Sequence, residues 1–132
     1  MIDKPIIVEQ GATKIEVFHF TTLADPLLPY DPVTNPYFPF DLTDYKVRSQ
    51  VRKTYDSTSV ELQFDSDTLE PEFIKQDLAG IVTLTISAAA TQSLRFVGSE
   101  VDYVYDIELY NEDGRVVRPV GGTFSISREV TR

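Results

Sequence analysis

Apolar and polar residues alternate along much of the chain, and a two-residue period predicts strands. Between Tyr45 and Arg52, Tyr45, Val47, Ser49 and Val51 share one face, and Lys46, Arg48, Gln50 and Arg52 share the other. Val60, Leu62 and Phe64 repeat the pattern inward, with Glu61, Gln63 and Asp65 outward. Turn residues 55–59 join the two runs. In an antiparallel pair, Lys46, Arg48 and Arg52 are expected to meet Glu61, Gln63 and Asp65. Further on, Tyr103, Tyr105, Ile107 and Leu109 oppose Asp102, Asp106 and Glu108. Asn111 to Gly114 reads as a turn. Pro119 predicts the edge or end of a short strand, and Phe124 and Ile126 point inward after a Gly pair.

The remaining elements follow the same grammar. Ile6 to Glu9 and Lys14 to Thr22 are expected as strands around Gly11. In the second, Ile15 and Val17 take one face while Phe18 and Phe20 take the other, so a bulge or a strand covered on both sides is expected. Gly80 to Ser87 is apolar on both faces, which predicts a central strand. Ser87 is a helix N-cap, and a short alanine-rich helix is expected up to Leu94. Seven or eight short strands in one domain over residues 1–132 predict an all-β, antiparallel, immunoglobulin-like β-sandwich. A small closed barrel is the alternative.

Residues 24–42 depart from this pattern. Five of the eight prolines lie there, at Pro26, Pro29, Pro32, Pro36 and Pro39. They predict a long Pro-rich loop without regular structure. Leu27, Leu28, Tyr30, Tyr37, Phe38 and Phe40 make it too apolar for a linker. One expectation is a cap folded onto the end of the sandwich. The other is an arm that reaches a neighbouring subunit, with Pro29, Tyr30, Pro32, Pro36, Tyr37, Phe38, Pro39 and Phe40 as its interface.

Charge and composition narrow the chemistry. The formal net charge is −9, which opposes nucleic acid and anionic membranes as partners. Without cysteine there is neither a disulfide framework nor a thiolate metal site. No signal-peptide core is expected at the N-terminus, and no apolar run approaches the roughly 20 residues of a membrane helix. His19 is the single histidine, read as structural beside Phe18 and Phe20, so no catalytic triad and no zinc site is expected. Asp65, Asp67, Glu70 and Glu72 form an acidic loop, read as solvated, with a hard cation as the alternative. The Lys46, Arg48, Arg52 and Lys53 cluster is read as a solvated face or a charge-paired subunit interface. No enzyme, cofactor or metal is expected.

Several segments together carry a resemblance. Leu42-Thr43-Asp44-Tyr45 precedes the first long strand and Arg52 ends it. Gly80 to Ser87 leads into the alanine-rich turn. Tyr103 to Leu109 leads through a turn to Gly122 and a last strand ending at Glu129 to Thr131. This order resembles small tailed-bacteriophage virion proteins and the immunoglobulin-like N-terminal domains of phage baseplate upper proteins. It covers about two-thirds of the chain, from Asp41 to Thr131. The resemblance implies a virion structural module, present as a homo-oligomer or in repeated copies. It would dock on other virion proteins of tail, baseplate, neck or capsid. It carries over no binding residue. With the chain ending at Arg132 and the Pro-rich loop an addition, an adaptor or decoration role is expected over host recognition. A carbohydrate-binding module is the alternative, and Tyr103 and Tyr105 are the residues considered for sugar stacking.

Overall fold

A computed structural model describes residues 2–67 and 72–128. Two sheets face each other across one core. The larger contains β1 (Ile2–Asp3), β2 (Ile6–Glu9), β6 (Lys46–Arg52), β7 (Leu62–Asp65), β10 (Glu100–Tyr110) and β11 (Val116–Ser127). Its order is β1-β11-β10-β6-β7, with β2 also on β11. The smaller sheet, ordered β3-β9-β8, contains β3 (Lys14–His19), β8 (Phe73–Gln76) and β9 (Ile81–Ile86). A two-stranded sheet pairs β4 (Thr21–Leu23) with β5 (Tyr37–Pro39). The short helix α1 (Ala88–Ser93) follows Ser87, whose hydroxyl accepts the Ala90 amide as expected of an N-cap.

This is an all-β sandwich with an immunoglobulin-like strand order. Most pairings are antiparallel, but β1 and β2 run parallel to β11. The strand count exceeds seven or eight because a two-residue β1 precedes β2, the expected Lys14 to Thr22 strand divides into β3 and β4, the Pro-rich segment contains β5, and β8 escaped the sequence pattern. The core alternates as predicted: Val47 and Val51, Phe64, Tyr103, Tyr105, Ile107 and Leu109, Phe124 and Ile126 from one sheet meet Phe18, Phe73, Val82, Leu84 and Ile86 from the other. Val60 is a correction, since it precedes β7 and is exposed.

Two further corrections concern strand faces. No bulge is needed at Phe18 and Phe20. Both face inward in phase with Lys14 and Glu16, and it is Ile15 and Val17 that stand exposed. Lys14 and Glu16 are tolerated there because they pair at 3.4 Å, with Lys4 at 3.7 Å from Glu16. Pro119 does not end a strand. Between Ile107–Val120 and Leu109–Val117 the register slips by one residue, and Arg118 and Pro119 oppose Glu108 alone. A bulge needs one fewer ladder donor, so proline fits inside β11.

Candidate functional site

The Pro-rich loop, residues 24–42, is present but not wholly irregular, because Tyr37–Pro39 within it form β5. β3 and β4 run on through Phe20, where the partner strand changes. The Phe20 amide donates to the Gly80 carbonyl, and the Phe20 carbonyl accepts from the Phe40 amide. Gly80 has φ +66, and a Cβ there would lie 2.9 Å from the Phe40 nitrogen and collide with the Phe20 carbonyl oxygen. Glycine is required at this changeover for conformation and for space. Beyond it, β5 replaces β9 as the neighbour, and β4 and β5 form a hairpin.

Base and tip of the hairpin behave differently. At the base, Phe40 packs against the core and lies 5.4 Å from the Tyr45 ring, while Leu42 is fully buried and its amide donates to the Asp77 carbonyl. The base is therefore a cap, and Phe40 is withdrawn from the interface set. At the tip, Tyr30, Tyr37 and Phe38 are each about half exposed, at 51%, 53% and 51%. Leu27 and Val33 are 90% and 86% exposed. Pro29, Pro32 and Pro39 are exposed and Pro36 is half-buried. Tyr30 stacks on Tyr37 with ring centres 4.6 Å apart.

The tip is held by a residue that the sequence pattern did not single out. Asn35 is buried, and its amide group satisfies the turn from inside. Its Oδ1 accepts from the Asp25 amide at 2.7 Å. Its Nδ2 lies 3.0, 3.0 and 2.9 Å from the carbonyl oxygens of Asp25, Leu28 and Pro29. Asn35 and Asp31 also exchange both main-chain hydrogen bonds. The Asp31 carboxylate accepts the amides of Val33 and Thr34, which lowers its pKa. The only signal in the sequence is an Asn followed by a proline, which turn statistics alone do not distinguish.

The other candidate chemistry is dispersed. His19 lies exposed on the outer face of β3, across from Ile81, and is not buried among the phenylalanines. Tyr103 and Tyr105 are core residues, 2% exposed, so neither offers a sugar platform. The Tyr105 hydroxyl donates to the Lys4 carbonyl, and burial pushes its pKa far up. In the acidic loop, Asp67 pairs with Lys46 at 3.0 Å and Asp65 accepts the Asp67 amide, while Glu70 lies outside the described residues. Among the described residues no group of three or more acidic or histidine side chains is placed to hold a metal ion. No helix among them is long and apolar enough to cross a membrane.

In the basic cluster Lys46 pairs with Asp67 beyond β7, whereas Arg48 turns toward β10. Arg48 is opposite Asp65 in register, yet its guanidinium pairs with Glu108 at 2.5 Å and covers the Tyr110 ring at 4.3 Å. Arg118 holds the other oxygen of Glu108 at 2.8 Å and reaches Asp106 at 3.7 Å. Burial, together with the charge of Glu108, raises the Asp106 pKa against the pull of Arg118. These groups line a shallow groove of about 310 Å³. Within it Arg48 and Arg118 spend their charge on Glu108 and Asp106, and Arg52 donates to the Ser57 carbonyl and to Gln50.

No family model and no curated protein matches the chain. Solved structures overlap with it at low identity. The N-terminal domain of phage TP901-1 ORF48 gives a TM-score of 0.40 at 12% identity, covering 96% of this chain and 85% of that one. Murine CRIg gives 0.37 at 12% identity, covering 95% and 92%. CopC from Methylosinus trichosporium OB3b gives 0.34 at 10% identity, covering 86% and 99%. The sandwich assignment itself rests on the strand order and register of this chain.

Proposed function

We propose that the protein is a structural attachment module of a bacteriophage particle, and that the β4–β5 hairpin is its docking element. One observation carries the docking part: an exposed apolar surface is displayed on a tip that its own hydrogen bonds already hold in shape. Exposed apolar surface gathered on one element marks interaction sites in folded proteins. Preorganisation lowers the entropy lost on docking. The particle itself is argued from the sequence resemblance, whose segments become β6, β9 with α1, and the β10–β11 pair. The final motif, Glu129 to Thr131, lies outside the described residues. On this reading the partners are other virion proteins, the module is present in several copies, and it performs no catalysis.

Quantitative mass spectrometry of purified particles tests the proposal. The expected result is a fixed number of copies per particle that survives high-salt washing. Absence from particles would overturn the virion assignment. Selective binding to one sugar on a glycan array, abolished by Tyr30→Ala or Tyr37→Ala, would favour the carbohydrate-binding alternative instead.

A further inference from the structure

The two faces of the hairpin are both apolar. In its register Thr22 pairs with Phe38, and the flanking pairs are Thr21–Pro39 and Leu23–Tyr37. Cross-strand partners share a face and successive residues alternate. Phe38 therefore stands on one face, and Tyr37, backed by Tyr30, stands on the other. A hairpin that lies flat on a partner needs one apolar face and keeps the opposite one polar. This one exposes an aromatic ring on each side.

Along the sequence of the hairpin the charges have a single sign, although Lys75 reaches its base, donating to the Leu42 carbonyl while paired with Asp77. Residues 20–45 contain Asp25, Asp31, Asp41 and Asp44 and neither lysine nor arginine. None of the four takes part in an ion pair among the described residues.

Resting on the hairpin as docking element, we propose that it inserts edge-on into a two-walled apolar cleft of a different subunit whose mouth carries lysine or arginine. Leu27, Leu28, Tyr30, Val33, Tyr37 and Phe38 expose an area on the order of the ~800 Å² per partner of a standard interface. A second copy is a poor occupant. It too is acidic, at net charge −9, so like charge opposes the approach of the acidic tip. A cationic cleft mouth would steer the acidic tip inward, and salt would weaken that steering.

The test is co-sedimentation of the labelled full-length chain with particles assembled without it, at about 50 and about 300 mM NaCl, where screening differs. Phe38→Ala and Tyr37→Ala probe one face each. The double variant Asp25→Asn with Asp31→Asn removes charge while keeping the oxygen acceptors of the tip. All variants are first matched to the parent by circular dichroism and melting temperature. Each face variant should weaken binding about tenfold or more. The parent should lose affinity with salt, and the double variant should bind more weakly and lose most of that dependence. If only one face matters, or if neutralising the aspartates strengthens binding, the cleft is wrong while the docking role stands. If the parent does not bind at all, the docking role fails and the cleft with it. A dimer in sedimentation that Phe38→Ala dissociates would assign the face to a second copy and overturn the proposal.

Discussion

The side chain of Asn35 and the main chain of Asp25 are bonded to each other twice, amide to Oδ1 at 2.7 Å and Nδ2 to carbonyl at 3.0 Å. This clasp closes a turn whose apolar side chains mostly face solvent, so hydrogen bonding rather than hydrophobic burial sets its shape. Asn35→Ala would leave these main-chain groups without their partner, which costs about 1–3 kcal/mol where the groups stay buried. The loss should be local. Hydrogen exchange of the amides of Asp25, Val33 and Asn35 is expected to accelerate, with protection in β6 and β10 unchanged. Loss of protection throughout the core would show that the tip and the sandwich are one cooperative unit.

Gly80 separates two effects that glycine replacement usually mixes. Gly114 has φ +83 with nothing within 4 Å of an added Cβ, so Gly114→Ala should cost only the conformational penalty of about 1–2 kcal/mol. Gly80→Ala adds a collision with the backbone of Phe20 and Phe40. Urea melts should therefore rank Gly80→Ala as clearly more destabilising. Equal midpoints would mean that the hairpin base moves aside without cost.

Core and surface replacements should differ, though by less than alternation alone implies. Phe124 is 1% exposed, and Phe124→Ala is expected to cost about 3–5 kcal/mol. Arg48 lies on the outer face, where alternation predicts almost no cost. It is tied to Glu108 and covers Tyr110, so Arg48→Ala should cost about 1 kcal/mol. Thermal denaturation of both variants checks the order, and a larger loss for Arg48→Ala would contradict the assignment of faces.

The pH dependence has opposite signs at two places. Asp106 has a raised pKa in the folded state, so the native protein binds more protons than the unfolded chain in the window above the ordinary value of 3.8. Its contribution to stability is lost as pH rises through that window. Asp31 and Asp41 have lowered values, so theirs is present above 3.8 and lost as pH falls below it. Asp106→Asn should accordingly be more stable than the parent at pH 7, with the difference shrinking toward pH 4. Urea midpoints at the two pH values measure this, and a difference that grows on acidification would reverse the sign.

What the sequence disclosed depended on how locally each residue's fate is decided. The faces of β6 and β10 were legible because one side is buried and the other solvated, so burial follows the pleat from Val47 to Val51 and from Tyr103 to Leu109. β3 misled because Lys14 and Glu16 point inward at a sandwich edge, where Lys4 arrives from a distant part of the fold. Arg48 misled because the choice between Glu108 and Asp65 is tertiary. β11 runs longer than Pro119 suggested because a bulge absorbs it. In the Pro-rich segment, exposed aromatics were legible from composition. The hairpin was not, since its pairing is fixed by Asn35 and by the clearance at Gly80.

On the proposed function, the hairpin tip attaches the module and does not hold it together. The most direct measurement is incorporation of a chain in which residues 25–36 are replaced by a short Gly/Ser turn, leaving β4, β5, Phe40 and Leu42 in place. With the buried base intact, the variant should melt within a few degrees of the parent, since a loss near 1 kcal/mol shifts a domain of this size by about 4 °C. It should nevertheless be missing from purified particles that contain the parent at full copy number. A variant that incorporates as the parent does, or one that no longer folds, would contradict the claim.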